Sequence, residues 1–158
     1  MTAPALQKHL LVVEDNDQDA TFLRRAIEQT GVSLPHTIVK DGDQAIAYLG
    51  GTHEFADRGR HPFPSLMLLD LKMPKKSGHE VLEWLMQSSL TKPKVIVYTS
   101  SSEPKDIDQA MRLGAFAYIV KPLSVVILRK IVRELAAAMA NPEHDHGLLG
   151  WHVRPLNQ

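Results

Sequence analysis

Five polar side chains follow apolar runs that lie far apart in this chain, and their types could do phosphoryl chemistry. They are Glu14, Asp15, Asp70, Thr99 and Lys121. An aspartate carboxylate is a nucleophile that can carry a covalent phosphoryl group. It needs no general base, because it is already ionised at neutral pH. Asp70, which ends the long apolar run at residues 66–69, is therefore the predicted phosphoacceptor.

The other four side chains could supply the charge neutralisation that phosphoryl transfer needs. Three carboxylates in one cleft repel one another unless a cation compensates them, and oxygen ligands at this density suit Mg²⁺. We expect Asp15 and one oxygen of Asp70 to hold the metal, with Glu14 acting mainly through bound water. The metal, the Lys121 ammonium and the Thr99 hydroxyl would each cover one oxygen of the transferred group.

These residues are positioned by an alternation of apolar runs and amphipathic segments. The pattern predicts five helices and five strands, at residues 9–13, 35–40, 66–69, 95–98 and 116–120. Such alternation favours an α/β fold with helices on both faces of a parallel sheet. Right-handed crossovers leave a doubly wound, flavodoxin-like (βα)5 sheet as the economical topology, with strand order 2-1-3-4-5. Its ligand site lies at the carboxyl ends of the strands, where all five polar residues fall.

Composition excludes several other classes of protein. The 158 residues fit one domain at residues 6–140 and a tail at 141–158, and 18 basic residues balance 18 acidic ones, so nucleic acid is not an expected partner. The absence of cysteine rules out thiol catalysis and fits a reducing compartment. We find no signal peptide and no apolar run of about 20 residues, so a cytoplasmic protein without membrane contact is expected.

Four segments together resemble the receiver domain of two-component response regulators. They are VVED at residues 12–15, LDLKMPKKSG at 69–78, YTS at 98–100 and GAFAYIVKP at 114–122. The resemblance runs from about residue 8 to 140. It implies that Asp70 accepts a phosphoryl group from a sensor histidine kinase, with a histidine phosphotransfer protein as a further candidate partner. It also implies a signalling protein rather than an enzyme.

The same resemblance implies roles for further residues. Thr99 and Tyr118 would form the conformational switch, with a core residue of the edge strand as the less favoured reading of Tyr118. A cis peptide bond before Pro122 would place Lys121, and the small Ser100 would keep the approach to Asp70 open. The implied Mg²⁺ ligands are Asp15, Asp70 and the main-chain carbonyl of Lys72, with Glu14 assisting.

An insertion at residues 50–64 narrows the resemblance. It holds three glycines and two prolines and exceeds the usual loop of about 2–6 residues. We expect it to extend the second helix and add a loop. With the Arg58 and Pro62-Phe63-Pro64 run inside it, this insertion resembles that of single-domain receivers serving phytochrome histidine kinases.

The last helix, from a cap at Ser124 to about residue 140, carries more apolar residues than a sheet-covering helix requires. They span about half of the helix cylinder, whereas about 100° suffices. The surplus is covered either by the tail or by a second copy, and a symmetric homodimer is the favoured expectation. The predicted dimer face comprises Ile127, Ile131, Leu135 and Trp151. His144 and His146 in the tail are ligand-type residues without an assigned role.

The tail leaves no room for an output domain, so we expect output through a surface change, dimerisation or onward phosphotransfer. Two alternatives stay open. A phosphorylation-independent scaffold would be indifferent to Asp70→Asn. A Mg²⁺-dependent phosphatase with an aspartate nucleophile usually has a general acid two residues further on, where this chain has Lys72, and the insertion is too short and polar for a substrate cap.

Overall fold

Strands and helices alternate along the chain, as the sequence pattern predicts. The computed structural model describes residues 7–144. The strands are β1 Gln7–Val13, β2 His36–Val39, β3 Pro64–Leu69, β4 Lys94–Thr99 and β5 Ala117–Val120. The α-helices are α1 Asp17–Thr30, α2 Gly42–Gly50, α3 Gly78–Gln87, α4 Pro104–Arg112 and α5 Val125–Ala140.

All strand pairings in the sheet are parallel, and the strand order is β2-β1-β3-β4-β5. This confirms the predicted flavodoxin-like topology. Val13 pairs with both Val39 and Leu69, and Thr99 pairs with Val120. The carboxyl ends of the strands therefore lie together at one edge of the sheet, and the chain leaves each strand there.

Two hydrophobic clusters cover the two faces of the sheet. Leu10 and Val12 pack with α1 and α5 on one face, whereas Leu11 and Val13 belong to the cluster with α2 and α3 on the other. Successive side chains of a strand point to opposite faces. A strand covered on both faces is consequently apolar at every position, which explains the continuous apolar runs.

Polar residues begin four of the helices at the positions expected for N-caps. The side chains of Asn16, Asp41 and Ser77 accept hydrogen bonds from backbone N–H groups three residues further on, at 2.8–3.2 Å. Ser124 does the same for α5, as predicted, at 3.4 Å. Each such cap stabilises a helix by about 1 kcal/mol, so these residues fix where the helices begin after the loops that carry the site.

The insertion adds a packed loop but does not lengthen α2, so that part of the prediction is wrong. The helix ends at Gly50 because Gly51 adopts a left-handed conformation, with φ of 62°, that terminates the helical hydrogen bonding. The Arg58 guanidinium then donates to the main-chain carbonyls of Tyr48, at 2.7 Å, and Leu49, at 2.8 Å. These carbonyls belong to the last turn, which has no helical partners for them.

Aromatic contacts hold the rest of the insertion against α2. The rings of Tyr48 and Phe55 lie 5.1 Å apart, and the edge of His61 contacts both. The Tyr48 hydroxyl donates to the Pro62 carbonyl at 2.9 Å. The insertion is therefore anchored by the helix that precedes it and lies away from the carboxyl edge of the sheet.

The structure corrects the predicted dimer face on α5. Ile131 and Leu135 are 1% and 0% exposed, because α5 turns this stripe onto the sheet and α1. Ile127, the fourth residue of the predicted face, is exposed, together with Val125 and Val126 at the start of the helix. Trp151 and His146 lie outside the described residues. Within residues 7–144, no helix is long and apolar enough to cross a membrane.

Candidate functional site

Main-chain hydrogen bonds continue the sheet beyond the strands and bring the acidic residues together. The Glu14 amide donates to the Val39 carbonyl at 3.0 Å, and the Asp70 amide donates to the Val13 carbonyl at 3.1 Å. Carboxylate oxygens of Glu14, Asp15 and Asp70 lie within 4.8 Å of one another. Glu14 and Asp70 are buried, and Asp15 is exposed. Three of the predicted residues thus form one cluster.

Lys121 reaches this cluster from the end of β5, which β4 separates from β3. Its amide donates to the Thr99 carbonyl at 2.8 Å, which continues the β4–β5 pairing by one residue. Its Nζ lies 2.7 Å from Glu14 Oε2, 2.8 Å from Asp19 Oδ2 and 3.0 Å from Asp70 Oδ2. Sequence reasoning missed Asp19, although an acidic residue in the first turn of a helix that starts at the site was an available signal.

The electrostatics of the cluster follow from burial and from this cation. Burial raises the pKa of Glu14 to about 7, the contact with Lys121 opposes the increase, and the Asp70 charge adds to it. Burial alone would lower the pKa of Lys121, but its contacts with Asp19 and Glu14 outweigh burial and raise it. Lys121 is consequently a permanent cation that offsets the repulsion between the carboxylates.

The two oxygens of Asp70 have different environments. Oδ2 accepts a hydrogen bond from Lys121 at 3.0 Å, and Oδ1 accepts one from the Lys72 amide at 3.3 Å. Gly78, the first residue of α3, permits the loop to pass this close, because an added Cβ would clash with the Asp70 carbonyl oxygen. The main chain of Lys72 is therefore beside Asp70, and its carbonyl stays a predicted metal ligand.

Thr99 and Tyr118 are both buried next to the site, in different hydrogen-bonding states. Thr99 Oγ1 is buried and has no hydrogen-bond partner among the described residues, which costs about 1–3 kcal/mol in a folded protein. The Tyr118 hydroxyl donates to the Ser101 carbonyl at 2.8 Å, and burial raises the pKa of Tyr118 to about 12. Ser100, the first residue of the loop after β4, is exposed.

The peptide bond before Pro122 is trans, since residues 7–144 contain no cis peptide bond. The prediction of a cis bond at Pro122 is therefore wrong for this structure. The trans isomer is favoured by about 0.5–1 kcal/mol before proline. Lys121 reaches its three carboxylates from this trans conformation, so the cation does not need the cis isomer to be placed.

A pocket of about 440 Å³ opens beside Lys121, between α1 and the start of α5. Ser100 and Lys121 line it at the site, and its other lining residues include the exposed apolar side chains of Phe22, Leu123 and Val125 and the polar side chains of Arg25 and Gln29. The surface of the pocket adjoins the carboxylate cluster through Lys121, which lines the pocket and contacts Glu14 and Asp70. A partner group that reaches Asp70 across this surface would bury apolar side chains as it does so.

A doubly wound (βα)5 sheet with clustered acids, a threonine and a lysine at its carboxyl edge is the architecture of a receiver domain. The family model for the response regulator receiver domain matches residues 10–133. This chain therefore belongs to the response regulator receiver family.

Two curated relatives match this chain over most of their own length. The probable methanogenesis regulatory protein FilR2 of Methanothrix harundinacea is 35% identical over 147 residues, which is 92% of this chain and 86% of that protein. Response regulator Rcp1 of Synechocystis is 32% identical over 127 residues, or 80% and 84% of the two chains. The match therefore extends beyond the short motifs to the full domain.

Solved structures of response regulators also match this chain, and two of them are described in red light or phytochrome signalling. Response regulator RPA3017, described in red light signalling of R. palustris, has a TM-score of 0.78 at 34% identity and covers 84% of this chain and 94% of its own. The phosphorylated cyanobacterial phytochrome response regulator RcpA has a TM-score of 0.75 at 31% identity, with 87% and 96% covered. The Mn²⁺-bound form of Rcp1 has a TM-score of 0.71 at 30% identity, with 83% and 93% covered.

Proposed function

We propose that this protein is a phosphoacceptor of two-component signalling, in which Asp70 accepts a phosphoryl group from a histidine kinase in a Mg²⁺-dependent reaction. The observation that carries the proposal is the Lys121 ammonium, which contacts Asp70 and Glu14 inside one acidic cluster. A nucleophilic carboxylate, a cation and further carboxylates at one sheet edge are the parts that phosphoryl transfer requires.

The donor set fits a hard divalent cation. Carboxylate oxygens within 4.8 Å of one another suit Mg²⁺, which typically takes one or two carboxylates and keeps several waters. In the proposal, Asp15, Asp70 and the Lys72 main-chain carbonyl bind the metal, and Glu14 assists through water. The bound ion supplies charge neutralisation on the transferred group.

The protein's own residues would divide the remaining work. One Asp70 oxygen attacks phosphorus, the bond from phosphorus to the donor imidazole nitrogen breaks, and that nitrogen keeps the electron pair. The Lys121 ammonium binds one phosphoryl oxygen, as its present contact with Asp70 Oδ2 allows. The Thr99 hydroxyl, which lacks a partner among residues 7–144, donates to another.

Output would begin with the loop between β4 and α4. The phosphoryl group carries about 1.5 to 2 negative charges in place of the single charge of the Asp70 carboxylate, and movement of Thr99 toward it would shift Ser100 and Ser101. Tyr118 is already buried and bonded to the Ser101 carbonyl, so it links that loop to β5. The proposed consequence is a changed surface around α4 and β5 that a partner reads.

The names of the relatives support a phytochrome-type histidine kinase as the phosphodonor. We extend the proposal to a cytoplasmic signalling protein that forms a homodimer through α5 and its neighbours. The exposed Val125, Val126 and Ile127 offer apolar surface for that contact. Onward transfer to a histidine phosphotransfer protein is a second route for output from the same aspartyl phosphate.

The test is to incubate the full chain with labelled acetyl phosphate, with and without Mg²⁺, and then to run size-exclusion chromatography. The proposal predicts Mg²⁺-dependent label that is stable to acid and labile to base, as an acyl phosphate is. A shifted elution volume on phosphorylation would make dimerisation part of the output. No label on the folded chain would favour a scaffold, and continuous hydrolysis of a phosphoester would favour a phosphatase.

The pocket beside Lys121 predicts where the kinase docks. Leu123 is fully exposed at its rim, and burying a leucine contributes about 1.5–3 kcal/mol. We expect Leu123→Ser to slow transfer from a phosphorylated bacteriophytochrome kinase by about tenfold, which corresponds to about 1.4 kcal/mol. Transfer from acetyl phosphate, which is too small to use this surface, should be unchanged.

Met86→Ala is the matched control for this prediction. Met86 is 47% exposed, as is Phe22 in the pocket, but it lies on α3 at the other face of the sheet. Met86→Ala should leave the rates of transfer from the kinase and from acetyl phosphate unchanged. Equal slowing of the two donors by Leu123→Ser would instead show damage to the phosphorylation site and remove the docking assignment.

A further inference from the structure

Asp19 is a carboxylate that contacts Lys121 but lies outside the described acidic cluster. The cluster contains Glu14, Asp15 and Asp70, whereas Asp19 approaches Lys121 from the first turn of α1. Its side chain is 36% exposed, compared with 3% for Glu14, 7% for Asp70 and 13% for Lys121. Asp19 therefore holds the ammonium from the solvent side of the site.

The local structure of α1 leaves the Asp19 side chain available for this contact. Asn16 caps the helix by accepting a hydrogen bond from the Asp19 amide at 2.9 Å. An acidic side chain at this position often reaches back to the amide of the capping residue. Here Glu14 Oε1 accepts from the Asn16 amide at 3.1 Å instead. Asp19 is thus fixed by its main chain while its carboxylate binds Lys121.

Metal binding would weaken two of the three contacts of Lys121, those with Glu14 and Asp70. The ammonium has three N–H bonds and contacts three carboxylates. Mg²⁺ bound by Asp15 and Asp70, with Glu14 assisting through water, would compete with Lys121 for the negative charge of Glu14 and Asp70, because both are cations. Asp19 is not among the cluster oxygens, so its contact with Lys121 can persist when the metal enters.

We propose that Asp19 is a positioning residue that retains Lys121 at the edge of the site when Mg²⁺ is bound by Asp15 and Asp70, with Glu14 assisting through water, and when Asp70 carries the phosphoryl group. This inference rests on the proposed phosphoacceptor function and deepens it. With Asp19 present, the Lys121 ammonium keeps one carboxylate contact when its contacts with Glu14 and Asp70 weaken. It therefore stays beside the incoming phosphoryl oxygens. Without Asp19, the Lys121 ammonium would contact only Glu14 and Asp70, and its competition would weaken Mg²⁺ binding more strongly.

A second ion pair in the same helical turn provides the comparison. Asp17 contacts Lys40 at 2.8 Å, but their side chains are 81% and 64% exposed. Such surface pairs contribute little to stability, and Lys40 and Asp17 are not members of the acidic cluster. Asp17→Asn therefore removes the same charge from the same turn as Asp19→Asn without changing the contacts of Lys121.

The experiment measures the Mg²⁺ dissociation constant of the full chain by calorimetry. We expect Asp19→Asn to weaken Mg²⁺ binding by about fivefold, which corresponds to about 1 kcal/mol because about 1.4 kcal/mol is a tenfold change in affinity. Asp17→Asn should weaken it by less than about twofold. Asp19→Glu keeps the carboxylate and should restore most of the affinity. Circular dichroism checks that each variant is folded.

The decisive measurement repeats Asp19→Asn in a Lys121→Met background. If Asp19 acts through Lys121, its replacement should then change Mg²⁺ affinity no more than Asp17→Asn does, because the double-mutant cycle removes the shared partner. An equal fivefold loss in both backgrounds would show a general charge effect and overturn the inference. A wild-type chain that binds no Mg²⁺ would contradict the proposed function as well, so the two failures are distinguishable.

Discussion

Asp70→Asn is expected to abolish covalent phosphorylation of the protein by acetyl phosphate. The amide that replaces the carboxylate carries no negative charge and is a poor nucleophile, and loss of a covalent nucleophile typically costs at least about a thousandfold in rate. Asparagine has nearly the shape of aspartate, and Lys121 keeps its contacts with Glu14 and Asp19, so the fold should persist. Intact-protein mass spectrometry measures the loss of the phosphoryl mass.

Asp43→Asn is the matched control for this variant. Asp43 is an exposed aspartate in the first turn of α2, and the same substitution there should leave phosphorylation at the wild-type rate. Label that appears on Asp70→Asn as fast as on the wild type would place the phosphoacceptor elsewhere. That result would contradict the assignment of Asp70 while leaving the fold and the family unchanged.

Lys121→Met is expected to change two measurable quantities in opposite directions. Phosphorylation at saturating Mg²⁺ should slow by about 100-fold or more, because a positioned charge on the transferred group is lost. Mg²⁺ should bind roughly tenfold tighter or more, since two unit charges about 4 Å apart near a protein surface interact by about 4 kcal/mol. The competing ammonium lies 2.7 Å from Glu14 and 3.0 Å from Asp70.

Calorimetry with Mg²⁺ and the rate of labelling by acetyl phosphate measure these two effects separately. Lys40→Met is the control, because Lys40 is an exposed lysine paired with Asp17. Weaker Mg²⁺ binding by Lys121→Met would mean that the ammonium supports the metal site rather than competing with it. Tighter binding with an unchanged labelling rate would remove Lys121 from the chemistry but keep it in the electrostatics of the site.

Local sequence pattern was sufficient to predict the alternation of strands and helices, the parallel sheet and the core of the site, and the strand order followed from the flavodoxin-like topology. Strands covered on both faces must be apolar at successive positions. The apolar runs before Glu14, Asp70, Thr99 and Lys121 therefore predicted buried strands. In a parallel doubly wound sheet, the residues after those strands meet at one edge. Burial and chain direction alone therefore brought four distant residues together, without any knowledge of their side-chain contacts.

The tertiary structure decided which side chains touch and which faces are covered. Asp19 and Lys121 are 102 residues apart, and their contact depends on how α1 lies against the end of β5. Helical periodicity marked a wide apolar surface on α5, but only packing against α1 and the sheet showed that Ile131 and Leu135 are buried. A sequence pattern specifies the local geometry of an element, whereas its neighbours determine which of its groups are satisfied and which stay available.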